Sequence, residues 1–111
     1  MNKFEMLKEM EEQLEIILNT ADKHFRSRGY KVHSGKTTCL HEKTYTKDGV
    51  SYTIAYWKKG KSTPAAFLKL FKEENNDFED IFEHEDYDYE IMYENISNNF
   101  NNILNYIQQQ N

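Results

Sequence analysis

Apolar positions fall in two rhythms along the chain. Leu7, Met10, Leu14, Ile17, Leu18, Ala21 and Phe25 recur every three to four residues, which predicts one amphipathic helix over roughly residues 3–28. Asn2 stands where an N-cap belongs, with Glu5 three positions on as its capping-box partner. Gly29 offers the left-handed position past the helix end, and Lys23, Arg26 and Arg28 crowd the last turn, where the helix dipole favours cations.

From Tyr30 the rhythm shortens to two. Tyr30–Ser34 alternates as a short strand, with Gly35 as a turn. The stretches 38–47 and 50–59 are rich in β-branched and aromatic residues and are joined by Asp48-Gly49, a strong hairpin signal. A two-residue loop sets Tyr45 opposite Tyr52, Lys43 opposite Ile54, His41 opposite Tyr56 and Cys39 opposite Lys58 on one face. Thr46–Ser51, Thr44–Thr53, Glu42–Ala55 and Leu40–Trp57 share the other. The tyrosine face is the expected core side, against the first helix; Leu40 and Trp57 then make an apolar spot on a polar surface. Thr63 and Pro64 open a further helical stretch over 64–109, with Ala66, Phe67, Leu70 and Phe71 on its apolar face. Asn75-Asn76-Asp77 interrupts it. Phe78, Ile81 and Phe82 resume the helical spacing, and Tyr89, Met92, Tyr93, Ile96, Phe100, Ile103, Leu104 and Ile107 carry it on, as one helix or two divided near Asp86. The expected fold is α+β in a single domain, 1–111: a long N-terminal helix, a three-stranded antiparallel sheet, then two or three C-terminal helices.

Composition narrows the function classes. Sixteen aromatics among 111 residues supply much of the buriable area of a modest core. One Cys excludes an internal disulfide or a Cys-rich zinc framework. The longest aliphatic run, Ile16-Ile17-Leu18, is far short of a membrane span, and the charged opening residues do not read as a signal peptide, so a cytoplasmic protein without membrane contact is expected.

Charge is sharply segregated. Residues 1–22 carry a net of −4, residues 23–72 a net of +10, and residues 73–111 a net of −11, and all eleven late carboxylates lie between Glu73 and Glu94. If that stretch is helical, its 22 residues span about 33 Å and bear roughly one charge per 3 Å, close to the phosphate spacing of one nucleic-acid strand. The expectation that follows is a non-enzymatic, cofactor-free inhibitor or immunity-type protein. It would bind a basic, nucleic-acid-handling protein, such as a toxin nuclease or a CRISPR-type defence effector, through Glu79, Asp80, Glu83, Glu85, Asp86, Asp88 and Glu90, with Tyr87 and Trp57 as aromatic anchors. Phe78, Phe82, Tyr89 and Tyr93 interleave with the acids as further aromatics. The order of helix, hairpin and acidic helices looks like the layout of some small anti-CRISPR inhibitors, without a shared motif.

Metal readings are poor. Asp86-x-Asp88-x-Glu90 opens like an EF-hand loop, but Ile91 stands at the glycine position and Ser97 at the final glutamate. His33, Cys39 and His41 lack a fourth zinc ligand. No Walker loop, Rossmann glycine pattern or Gly-x-Ser-x-Gly occurs.

The basic middle supports a contrasting class, a nucleic-acid-binding module using Lys31, Lys36, Lys58, Lys59 and Lys61. Here Gly29-Tyr30-Lys31-Val32, His41 ahead of the Asp48-Gly49 turn, and Lys59-Gly60-Lys61 before Pro64 resemble the HicA-type mRNA interferase toxins over about residues 14–72. Cys39-Leu40 replaces the Gly-Ser before that family's histidine. The resemblance implies an α-βββ-α fold with His41 as general base; the plainer expectation is that His41 packs on Tyr56.

Overall fold

A computed structural model describes residues 1–36, 40–57, 66–86 and 88–111. Helix α1 spans Lys3–Ser27, strands β1 Lys31–Lys36, β2 Leu40–Lys47, β3 Val50–Trp57, β4 Ala66–Glu74 and β5 Asp77–Asp86 follow, and helix α2 spans Tyr89–Gln109. The strands form one antiparallel sheet in the order β1-β2-β3-β4-β5, a meander with β1 and β5 at its edges.

Helix α1 forms as its sequence dictates. Asn2 accepts from the Glu5 amide at 2.9 Å and the reciprocal bond completes the capping box; Gly29 ends the helix at φ 85°. Its stripe of Met10, Leu14, Ile17, Ala21 and Phe25 is buried. The Asp48-Gly49 loop sets the register read from the sequence, from Lys47 opposite Val50 through Tyr45–Tyr52 and Lys43–Ile54 to Leu40–Trp57. Tyr45, Tyr52 and Ile54 are buried on the helix-covered face. Gly35 is no turn; it pairs with Glu42 inside β1.

The remaining third departs from expectation. Residues 66–86 are not helical but form a second hairpin, so the sheet has five strands rather than three, and one C-terminal helix follows rather than two or three. The expected helix start at Thr63 and Pro64 lies outside the described residues. Asn75 and Asn76, taken as a helix break, are the two central residues of a hairpin turn at φ 52° and 65°, a left-handed conformation that Asn adopts more easily than most residues. Leu68 and Leu70 face the helices and are buried. The register slips between Leu70 and Phe71, where Phe82 and Asp80 are the partners, leaving Ile81 as a bulge. That extra residue keeps Phe82 directed to the core while Phe78 faces out. The resulting spacing 78, 81, 82 matches a helix without being one. The suspected division near Asp86 is where strand gives way to helix.

The two helices lie side by side and run parallel. Lys3 sits 4.4 Å from the Tyr89 ring centroid, Tyr93 donates to Glu9 at 2.6 Å, Gln13 meets Ser97 at 3.3 Å and His24 meets the Gln110 carbonyl at 2.6 Å, a near-constant offset along both helices. Met92, Ile96, Ile103 and Ile107 of α2 complete the core with Phe25 and the tyrosines. No helix among the described residues is long and apolar enough to cross a membrane.

A polar link at Asp22 ties α1 to the sheet. Asp22 accepts from Lys43 at 2.8 Å and from the Tyr45 hydroxyl. Burial alone raises the Asp22 carboxyl, but these two bonds outweigh it and hold the group below its ordinary range; burial, then the Asp22 bond, pushes the Tyr45 phenol far up. A carboxyl lowered on folding stabilises the fold above its unfolded value of about 3.9, and that contribution fades as pH falls through the folded value. Asp22→Asn is therefore expected to cost on the order of 1–2 kcal/mol near neutral pH. Urea midpoints of the two proteins should converge as pH falls below the unfolded carboxyl value and through the lower folded one, and a gap that stays constant with pH would contradict this account.

Candidate acidic interface

The sequence-predicted acidic residues come to lie on an edge strand and the helix that follows it. Six of the ten residues in β5 are Asp or Glu. Pairing to β4 places Asp80, Glu83 and Glu85 on the sheet face away from the helices, opposite Phe71, Lys69 and Phe67, and Glu79 and Asp86 on the other face, opposite Lys72 and Ala66. Glu79, Asp80, Glu83 and Glu85 are exposed, and Asp86 is half-buried. Charge along β5 is thinner than the helical expectation. A strand rises about 3.3 Å per residue, so six carboxylates over ten residues give roughly one charge per 5–6 Å, about half the density expected from a helix. The phosphate-spacing argument falls with the helix that carried it.

Asp86 and Asp88 have structural work as well. Asp86 accepts from the Asp88 amide at 2.8 Å, turning the chain from strand to helix. Asp88 is the α2 N-cap, accepting from the Glu90 and Ile91 amides at 2.9 and 3.3 Å. Glu90 lies in the first turn, where the helix dipole favours a negative charge. The EF-hand-like spacing is thus a strand-to-helix junction, and the described residues hold no group of three metal-ligating side chains.

Among the described residues, cations neutralise little of this surface. Lys69 pairs with Asp80 at 3.3 Å and Glu83 at 3.5 Å, and Lys72 with Glu74 at 3.3 Å. Burial lowers the Lys69 ammonium, but the Asp80 and Glu83 carboxylates outweigh that and hold it above the ordinary lysine value. Among the described residues, Glu73, Asp77, Glu79, Glu85, Glu90 and Glu94 are exposed and carry no ion pair. The negative edge stays open.

The aromatic anchors divide. Tyr87 lies outside the described residues, and Trp57 is placed only by its register opposite Leu40. Phe82 belongs to the core side, while Tyr89 and Tyr93 pack against α1. Among the described residues, Phe78 alone of the interleaved aromatics is strongly exposed, at 55%. Its ring lies 4.8 Å from Phe71 on the open sheet face, and the Lys69 ammonium sits 5.2 and 5.4 Å from the two rings. Sequence reasoning missed Phe71 and Lys69 as surface residues. Their signal was the two-residue spacing of Phe67, Lys69 and Phe71, obscured by apolar Leu68 and Leu70 between them.

The basic residues are split by the same meander. Lys31 and Lys36 lie on the β1 edge, opposite the acidic one, while Lys58, Lys59 and Lys61 fall outside the described residues. His41 stacks on Tyr56 with centroids 5.3 Å apart and planes 10° from parallel, as the plainer expectation held. His33 pairs in register with Thr44 on the open face, whereas His41 pairs with Tyr56 on the helix side, so the suggested zinc ligands straddle the sheet, and Cys39 is outside the described residues. The five-stranded meander also differs from the three-stranded layout implied by the resemblance to HicA-type toxins. Comparison with protein-family models, curated proteins and solved structures finds no match.

Proposed function

We propose that this chain is a small non-enzymatic inhibitor or immunity-type protein that binds a basic, nucleic-acid-handling protein through the acidic edge formed by β5 and the start of α2. The observation that carries the proposal is the open charge. Eleven carboxylates fall within residues 73–94, and the ion pairs that Lys69 and Lys72 make take up only three of them. Such self-repulsion costs stability in the free chain, and a cationic partner relieves it. The edge is also rigid, because β4 holds β5 along its length and Asp86 and Asp88 fix the turn into α2. Preorganised charge reduces the entropy lost on binding.

An edge strand dense in carboxylates has a second effect, since like charges discourage sheet-to-sheet pairing of copies through β5. That serves a protein which must keep its acidic side available.

The test is capture of nucleic-acid-handling proteins from the native host on the immobilised chain, followed by competition with duplex DNA or RNA. Captured nucleases or guided effectors should be released by duplex and lose activity when the chain is added. Capture that duplex does not compete with, or partners lacking a basic surface, would refute the reading. In a parallel mobility-shift assay at two ionic strengths, the chain itself should not retard nucleic acid; retardation that weakens with salt would favour the nucleic-acid-binding class.

A further inference from the structure

The two edges of the sheet carry opposite charge. Among the described residues no strand pairs with the outer side of β1 or of β5, so each presents a row of unpaired backbone N–H and C=O groups. Strand β1 contains two lysines, a histidine and no carboxylate, and all of its residues but Val32 are exposed. Lys31 and Lys36 have no ion pair among the described residues. Strand β5 holds six carboxylates and no lysine or arginine.

The charges also match face by face. Register with β2 puts Lys31 and His33 on the open face of the sheet, opposite Thr46 and Thr44, and Lys36 on the helix-covered face, opposite His41. On β5, Asp80, Glu83 and Glu85 lie on the open face, and Glu79 and Asp86 on the helix-covered one. A sheet that continues from one copy into the next keeps its faces aligned, so lysine meets carboxylate on both. In an antiparallel meander of five strands the first and last run the same way. The β1 strand of a following copy therefore lies parallel to β5.

We propose that the molecule self-associates head to tail, with β1 of one copy adding to β5 of the next through strand pairing and lysine–carboxylate contacts. Charges on edge strands ordinarily guard against association, because identical edges repel. Here two β1 edges repel, two β5 edges repel, and only the mixed pairing attracts. A contact between two different surfaces does not close on itself, so copies add at either end into an open chain. A six-residue strand buries little area, so the association is weak and reversible, with a dissociation constant on the order of 0.1–1 mM at low salt. The inference goes beyond the inhibitor reading and does not depend on it. A basic partner on β5 would compete with the neighbouring copy.

The test is sedimentation velocity on the full chain, from micromolar concentrations to about 1 mM, at low and at high salt. The weight-average sedimentation coefficient should rise with concentration at low salt and stay at the monomer value at high salt. Lys31→Glu with Lys36→Glu, and separately Glu79→Lys with Glu85→Lys, should each weaken self-association at least about tenfold. Circular dichroism of both variants should match that of the parent, because all four side chains are exposed. An equimolar mixture of the two variants is the decisive arm. The first keeps an acidic β5 and the second a basic β1, so together they should form mixed dimers that grow no further. A parent chain that stays monomeric at low salt, association that either variant leaves unchanged, or a mixture that stays monomeric would overturn the head-to-tail contact. Those outcomes leave the acidic edge as a partner surface untouched, since capture and competition with duplex test it separately.

Discussion

Replacing Phe25 by alanine is expected to remove about 3–5 kcal/mol of folding stability. Phe25 is the point at which α1 engages the sheet. Its ring stacks on both Tyr45 and Tyr52, each with centroids 4.9 Å away, and meets Tyr30 edge-on at the same distance. The side chain is 1% exposed. Truncation leaves a void bounded by three large rings that are themselves anchored. The Tyr45 hydroxyl bonds Asp22, Tyr52 bonds Gln110 at 3.0 Å and Tyr30 bonds the Asn111 carbonyl at 2.6 Å. Rings tethered at their hydroxyls cannot easily collapse into the gap, which favours the upper part of the range. Domains of this size hold roughly 5–15 kcal/mol in total, so the variant should lose about a fifth or more of its stability. Urea unfolding followed by helical circular dichroism gives the measurement. A loss below about 1 kcal/mol would mean that α1 does not dock on the tyrosine face. Phe25→Leu, which keeps most of the volume, should fall between the two proteins.

That packing was legible in the sequence because its signals were local and agreed with one another. The helical stripe, the Asn2–Glu5 box and Gly29 all define the same α1, and Asp48-Gly49 fixes a loop length from which every β2–β3 pair follows. The β4–β5 hairpin was not legible, for two reasons. Residues 67–71 carry apolar side chains on both faces of a strand, which erases the alternation that identifies one. The bulge at Ile81 then moves Phe82 one place along, so that Phe78, Ile81 and Phe82 imitate a helical period that runs smoothly into the true α2 pattern from Tyr89. Asn75-Asn76 held the missing information, since Asn tolerates the left-handed backbone of a two-residue hairpin loop.

The candidate site inherits this error unevenly. The acidic residues were visible as composition, and their exposure survives the change from helix to strand. Their neutralisation was not visible. Lys69 reaches Asp80 and Glu83 only because β4 and β5 are neighbours, a relation that a helical assignment cannot produce. Phe71 and Lys69 gain their place beside Phe78 by the same pairing.

That inequality among the carboxylates sets the second large effect. Glu79, Glu85 and Glu90 are exposed and unpaired, whereas Asp80 and Glu83 already share Lys69. Changing the first three to lysine adds two charges each and takes the net charge from −5 to +1. Electrostatic steering raises association rates by about 10–10³-fold. The triple variant is therefore expected to associate with the captured basic partner at least about tenfold more slowly at low salt, and its rate should vary little with ionic strength. Folding should survive. The three side chains are exposed, and lysine at Glu90 forfeits only about 0.3–1 kcal/mol of helix-dipole interaction. Asp80→Lys with Glu83→Lys is the informative contrast, because those charges are partly spent on Lys69. It should slow association less per charge reversed, while lowering stability by crowding three lysines on one face of the hairpin. Stopped-flow association at two salt concentrations separates the two sets. Equal slowing per charge would mean that the partner responds to total charge alone. Unchanged rates in the triple variant would place the contact elsewhere on the molecule, and with it would go the acidic edge as the binding surface.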